Sequence, residues 1–434
     1  MLYISRKAKH VLVVFTIIVL VWKLCITVIP TVPPRPVRNS SAIRQEFSDA
    51  EMSTTFHDFI MKTESATPTY ITDEEEMRTL EGRGDLVVSE QQENVKSGGS
   101  NPIVFKSTST CTPHKHIMFL KTHKCASSTV QNIFLRYGYQ HNLTFALGHG
   151  HYMGNPQKFK YSNVNHKLLP SSGRADIFAC HTRLNIPEHQ KVLHPDAKWI
   201  TLVRHPAGQY ASLYAYYNMH NTYHMDLETF LKQPVEELRK NPRKPPVGRQ
   251  GKNTVLFDLG YPDEASEEEI KEVIKQVDNN FHLVMVAEKM DEALIFMRHL
   301  LCWDMKDVVT FTKNARVTGH ELSADEKLKI EGMNREDLAI YNHFLHKHEE
   351  MVNNFGRDQM TKEVKELQNL RQAYYDTCVE EEVKGHDKRL DHKEWSGNVN
   401  AFLPSKNGSE TCQLILMGEV PLISLLRHRQ NKLL

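Results

Sequence analysis

The sequence predicts an α/β domain built on a parallel sheet, and two observations predict it. Three short apolar runs, His116–Leu120, Ile177–Cys180 and Trp199–Val203, each end in polar or basic residues and lead into a loop or helix. That is the βα pattern of a parallel sheet, whose ligand groups gather at the carboxyl ends of the strands. A fourth buried run, Phe281–Ala287, ends in Glu288. The apolar share of 40% permits a packed core, and 434 residues suffice for one large domain or two ordinary ones. A formal net charge of +1 argues against a broad basic field and against nucleic-acid partners. Any phosphate recognition is therefore local.

The first run organises the rest. Ile117–Leu120 breaks into Lys121, Thr122, His123, Lys124, Cys125, Ala126, Ser127, Ser128 and Thr129. Beyond them Val130, Ile133, Phe134 and Tyr137 recur at helical spacing on one face. A strand, a polar loop and a helix start form a ready anion site, because the first N–H groups of a helix lack internal partners. Lys121 and Lys124 add charge, and Ser127, Ser128 and Thr129 add hydroxyl donors. The glycines of a Walker loop are absent. An ordinary strand–helix connection with solvated lysines is the alternative.

Ahead of this domain, Arg6, Lys7 and Lys9 precede an apolar span from Val11 to Ile29, interrupted by Lys23. A span of that length can cross a bilayer, and a lysine can snorkel toward its surface. Prolines follow it in place of a small-residue cleavage site, so the span reads as an uncleaved signal-anchor rather than a cleaved signal peptide. Residues 1–10 are then a cytosolic tail, 11–29 the transmembrane anchor, 30–110 a polar lumenal stem and 111–434 the catalytic domain. Sequons at Asn39, Asn142 and Asn407 agree with a lumenal chain. Six cysteines lie beyond the anchor, and an oxidising lumen permits disulfides whose pairing the sequence leaves open.

Within the domain, the loop Gly148-His149-Gly150-His151-Tyr152 either lines the ligand crevice or carries incidental histidines on the surface. The second strand ends in His181-Thr182-Arg183 and the third in Arg204-His205-Pro206. Tyr210, Leu213, Tyr214 and Tyr217 then fall on one helical face, which reads as core packing. Lys240–Lys252 reads as an exposed basic, proline-rich loop. Ile270, Val273, Ile274 and Val277 mark an amphipathic helix, Asp291 opens another, and the C-terminal part is mainly helical. No metal-ligand spacing organises the 24 histidines, so no metal is expected.

Arg204 at the end of the third strand and Ser212 in the helix beyond it supply a second anion site. An arginine forks two N–H bonds onto a phosphate, and a helix serine adds a donor. Two such sites suit a nucleotide with phosphates at both ends.

These motifs carry a family resemblance. The chain resembles the galactose-3-O-sulfotransferases, which are Golgi enzymes using 3′-phosphoadenosine-5′-phosphosulfate (PAPS). The resemblance rests on Phe119–Lys124, Ser127–Thr129 and the Arg204…Ser212 element. It also rests on Phe257–Gly260, Asp291–Leu294, Leu301–Trp303 and Lys313–Arg316. It implies one kinase-like sulfotransferase domain with a central parallel sheet, PAPS as donor and no required metal. The acceptor it implies is a galactose-terminated glycolipid or glycan at the Golgi membrane.

The resemblance also implies roles. Lys121 to Thr129 would form the 5′-phosphosulfate loop, with Lys121 and Lys124 on the phosphosulfate, while Arg204 and Ser212 would hold the 3′-phosphate. His123 would be the general base, and His151, Tyr152 and His181 would touch the acceptor. His149, His151 and His181 are the fall-back bases. His205 and Cys125 depart from the family pattern, which carries an acidic residue and a threonine there. Cys125 beside two lysines is also a candidate for a depressed thiol pKa. Sulfation of another hydroxyl or of a glycosaminoglycan, and a catalytically silent lumenal binding protein, are the competing functions.

Overall fold

The computed structural model describes residues 111–434 except 151, 242–250, 313–320, 392–393, 395–396, 398 and 407. The anchor, the stem, Asn39, Asn407, His151 and the Lys313–Arg316 block lie outside the described residues. Among the described residues no helix is long and apolar enough to cross a membrane.

Four parallel strands form the central sheet in the order β2-β1-β3-β4. They are β1 (Ile117–Leu120), β2 (Ile177–Cys180), β3 (Lys198–Val203) and β4 (Leu283–Val286). Ile117 pairs with Ile177 on one side and Lys198 on the other, and Ile200 pairs with Leu283. Both faces of the sheet are covered, which is why the strands read as unbroken apolar runs rather than alternating ones. All four sequence-predicted strands are present, and β3 begins one residue early. The order runs outward from β1 in both directions, so the crevice at the carboxyl end of β1 is a topological switch point.

Helix α1 (Ser127–Gln140) follows β1 and is buried at nearly every position from Thr129 to Gly138, not only along the predicted stripe. The reason lies far downstream. Helices α8 (Glu410–Leu416) and α9 (Glu419–Leu433) pack against its outer side. Asn132 Nδ2 donates to the carbonyls of Leu414 (3.0 Å) and Met417 (3.2 Å). Gln430 accepts from Phe145 N at 2.8 Å and donates to Phe145 O at 2.9 Å.

Helix α2 (Pro206–Tyr216) leaves β3, and its Tyr210, Leu213 and Tyr214 are buried in a satellite core as the periodicity predicts. Then come α3 (Thr254–Asp258), α4 (Glu267–Asn280) and α5 (Met290–Leu301). The long pair α6 (Arg335–Phe355) and α7 (Arg357–Cys378) leads to an antiparallel ribbon of β5 (Val379–Lys384) and β6 (Asn400–Pro404). Ser266 and Glu269 cap α4 reciprocally, which relieves two of its unpaired N–H groups.

Disulfides join Cys111 to Cys302 and Cys378 to Cys412, while Cys125 and Cys180 are free and buried. The first ties the start of the domain to the end of α5, and the second ties the end of α7 to α8. Lys252 does not belong to an exposed basic loop. It is 6% exposed, and its ammonium is satisfied by Glu264 and the carbonyl of Arg239.

One buried histidine makes stability depend on pH. His189 is fully buried between Phe159 and Phe178, and burial lowers its pKa to about 3. Between pH 6.5 and 3 the unfolded chain therefore takes up a proton that the folded one refuses, and stability falls as pH falls through that window. The melting temperature is expected to drop between pH 7.5 and 5.5. His189→Asn should flatten that slope in thermal melts across the same range, and an unchanged slope contradicts the assignment.

Candidate active site

The turn after β1 is built by committing its side chains inward. Thr122 Oγ1 donates to Leu202 O on β3 at 2.9 Å, and Ser127 Oγ donates to Thr122 O at 2.6 Å. Lys124 and Ala126 both take φ 58°, the left-handed region that turns the chain sharply into α1. No side chain caps α1, whose N-cap is Ala126. An uncapped helix start with backbone amides facing the crevice suits an anion.

His123 sits at the centre of this turn and is 2% exposed. Its backbone N–H donates to Asp258 Oδ2 at 2.7 Å, and its Nδ1 lies 2.8 Å from Asp258 Oδ1. An ionised carboxylate only accepts, so Nδ1 carries the proton and Nε2 carries the lone pair. That Nε2 is buried and has no hydrogen-bond partner. The ring stacks on His181 at 4.1 Å between centroids, and His181 stacks in turn on Tyr152 at 5.3 Å. His181 Nδ1 lies 2.9 Å from Lys121 O, which holds the second imidazole against the turn.

Asp258 is placed from behind. It ends α3, whose first N–H groups at Val255 and Leu256 donate to Asp337 at 2.9 and 2.8 Å. Glu336 pairs with Arg239 at 2.7 Å and accepts from Asn253 at 2.8 Å. Just after Asp258, Gly260 has φ +91°, and a Cβ there would come within 2.3 Å of Leu184 O. Glycine is required at that position by both conformation and space.

The second predicted anion element touches the first. Arg204 Nη1 donates to Lys124 O at 3.0 Å. The guanidinium lies over Gly208, where a Cβ would meet Nη2 at 3.3 Å. Ser212, one turn further along α2, is 8% exposed. Lys124 Nζ stands 3.6 Å from the centre of the Tyr216 ring. Lys121 is fully buried and its Nζ meets Glu419 Oε2 at 2.5 Å.

Both departures from the family pattern are accommodated. His205 caps α2 by accepting from Ala207 N at 3.3 Å, as a carboxylate would, and its own N–H donates to Glu288 at 3.0 Å. Cys125 Sγ faces His123 O at 3.4 Å and accepts from Gln209 Nε2 at 3.3 Å. Its thiol pKa is not depressed. Complete burial pushes it far upward, and this outweighs the nearby Arg204.

The structure thus brings together Lys121 to Thr129, His181, Tyr152, Arg204 and Ser212. The hydroxyls of Thr122 and Ser127 and the Cys125 thiol face inward, so these three contribute their backbone rather than their side chains. The fall-back base His149 is exposed. Asp258 and Glu419 went unassigned in the sequence because each lies over a hundred residues from its partner. At the opposite, amino-terminal edge of the sheet His116, Asp176 and His194 converge through contacts of 3.4 and 3.7 Å. No local spacing in the sequence announces that cluster either.

Comparison with known proteins gives the family. A family profile described as Galactose-3-O-sulfotransferase matches residues 82–396. Galactose-3-O-sulfotransferase 3 of Mus musculus is 31% identical over 346 residues, covering 74% of this chain and 79% of the relative. Galactosylceramide sulfotransferase of Mus musculus is 31% identical, covering 63% of this chain and 66% of the relative. Galactose-3-O-sulfotransferase 2 of Sus scrofa is 33% identical, covering 62% and 70%. With a parallel α/β sheet, an uncapped basic turn and an oriented histidine already in place, the chain belongs to the galactose-3-O-sulfotransferase family.

Proposed function

We propose that this chain transfers the sulfuryl group of PAPS to the 3-hydroxyl of a terminal β-galactose on a glycolipid or glycoprotein glycan. The observation that carries the reading is the buried, Asp258-oriented imidazole of His123, whose Nε2 is unpartnered at the mouth of a basic helix start. A hydroxyl is a poor nucleophile, and a neutral imidazole within reach takes its proton as it attacks. PAPS supplies the electrophilic sulfur and leaves as 3′,5′-ADP. Lys124 and Lys121 stabilise the charge that grows on the leaving phosphate, alongside the backbone of Thr122 and Cys125–Thr129. Arg204 and Ser212 hold the 3′-phosphate. Tyr152 and His181, stacked beside the imidazole, offer flat faces to the sugar.

The same reading gives the chain a cytosolic tail at 1–10, a Golgi signal-anchor at 11–29, a stem at 30–110 and a kinase-like sulfotransferase domain at 111–434. Asn142 is exposed, which supports glycosylation there.

The deciding experiment is a radiolabelled-PAPS transfer assay on galactosylceramide, lactosamine and core-1 glycans, with linkage analysis of the product. Label at galactose O3 is expected. Label at O6, or on N-acetylhexosamine alone, overturns the assignment. Binding of 3′,5′-ADP without transfer to any galactoside favours a silent binding protein. Arg204→Ala should weaken 3′,5′-ADP binding by about ten- to hundredfold, the size of one lost charge-assisted contact, in a calorimetric titration.

A further inference from the structure

Lys121 presents a problem of charge. Its side chain is fully buried, and an unpaired ammonium in that setting costs several kcal/mol. The partner that neutralises it comes from the far end of the chain. Glu419 is the first residue of α9, beyond residue 396 where the family match ends. Its Oε2 lies 2.5 Å from Lys121 Nζ, and its Oε1 accepts from Gln131 Nε2 at 3.2 Å. Gln131 also donates to Ala179 O on β2 at 2.8 Å, so both oxygens of the carboxylate are held by groups that are themselves held. A carboxylate in the first turn of a helix is favoured by the helix dipole as well. Asn132 holds Met417 just ahead of α9 and Gln430 holds α9 itself, which fixes where that first turn can stand.

We infer that Glu419 is a positioning residue for sulfuryl transfer: it orients Lys121 Nζ at the edge of the donor loop, through a contact that crosses from the C-terminal helix to the turn after β1. The inference rests on the proposed role of Lys121. A carboxylate this close to an anion site would repel the donor if it acted alone. Paired with Lys121, it leaves the ammonium's remaining N–H groups to be aimed, since one of three is already fixed. Its effect therefore falls on turnover, where charge develops on the leaving phosphate, and not on ground-state affinity for the nucleotide.

The test is a double-mutant cycle in the full chain, with kcat, 3′,5′-ADP affinity and melting temperature measured for each variant. Glu419→Gln should lower kcat by about ten- to hundredfold. Affinity for 3′,5′-ADP should stay level or tighten, because a negative charge has been removed. In a Lys121→Ala background the same change should cost nothing further. Wild-type kcat in Glu419→Gln overturns the inference, as do a loss confined to nucleotide affinity and a fully additive loss in the double variant. If Lys121→Ala itself turns over normally, the fault lies with the proposed donor loop, and Glu419 falls with it. Should Glu419→Gln fail to fold, Glu419→Asp keeps the charge at the helix start but withdraws it by one methylene. A severalfold loss of kcat is expected there, and wild-type kcat in that folded variant overturns the inference.

Discussion

His123→Ala is expected to reduce turnover by about 10³-fold, within the range that a positioned general base supplies, while leaving 3′,5′-ADP affinity within a fewfold of wild type. The separation of the two effects follows from geometry. The imidazole makes its side-chain bond to Asp258 and faces the ring of His181, whereas the anion elements are the helix start, Lys124, Arg204 and Ser212. The backbone of His123 stays in place through its own N–H bond to Asp258, so the turn survives loss of the ring. Measuring kcat with a galactoside and nucleotide affinity by calorimetry checks both halves. Near-normal turnover removes His123 from the base role and passes it to another histidine. Collapse of nucleotide binding alongside turnover shows instead that the ring maintains the donor loop.

Asp258→Asn is expected to cost nearly as much, between about 10² and 10³ in kcat, although Asp258 touches no substrate. The wild-type carboxylate accepts twice, from the backbone N–H of His123 and from its Nδ1–H. An asparagine has one accepting oxygen. If that oxygen serves the backbone N–H, the amide NH2 faces Nδ1 and drives the imidazole to the tautomer protonated at Nε2, which cannot take a proton from the acceptor. If the amide turns over, the tautomer is kept but the buried backbone N–H of His123 loses its partner. The first arrangement disables the base and the second loosens the turn that carries it. The readout that separates positioning from general damage is again a cycle. In a His123→Ala background, Asp258→Asn should lower kcat no further, and an additional large loss there would show a role independent of the imidazole.

The sheet was legible in the sequence because parallel strands covered on both faces must be apolar along their whole length, and each such run ends where the ligand edge begins. Ile117–Leu120 and Ile177–Cys180 illustrate this, with every residue buried. The tyrosine face of α2 was legible for the same reason of period. The donor loop was legible because a strand, a basic turn and a helix start are consecutive. The exposed-loop reading failed at Lys252, since burial of a lysine depends on whether a partner such as Glu264 lies nearby in space. The thiol of Cys125 was misjudged in the same way. Two neighbouring lysines suggested a low pKa, but complete burial decides it.

By itself, then, the sequence determined the parallel α/β core, the basic turn, His123 within it and the Arg204–Ser212 element, because each is written in residues adjacent along the chain or repeated at the period of a helix or strand. Only the tertiary structure decided which nitrogen of His123 is free, since that depends on Asp258 arriving from another element. Likewise only the fold could pair Lys121 with Glu419, join Arg204 to the donor loop and match the four bonded cysteines. Contacts between residues far apart in sequence carry no local periodicity, and the packing that creates them also sets the burial on which their chemistry depends.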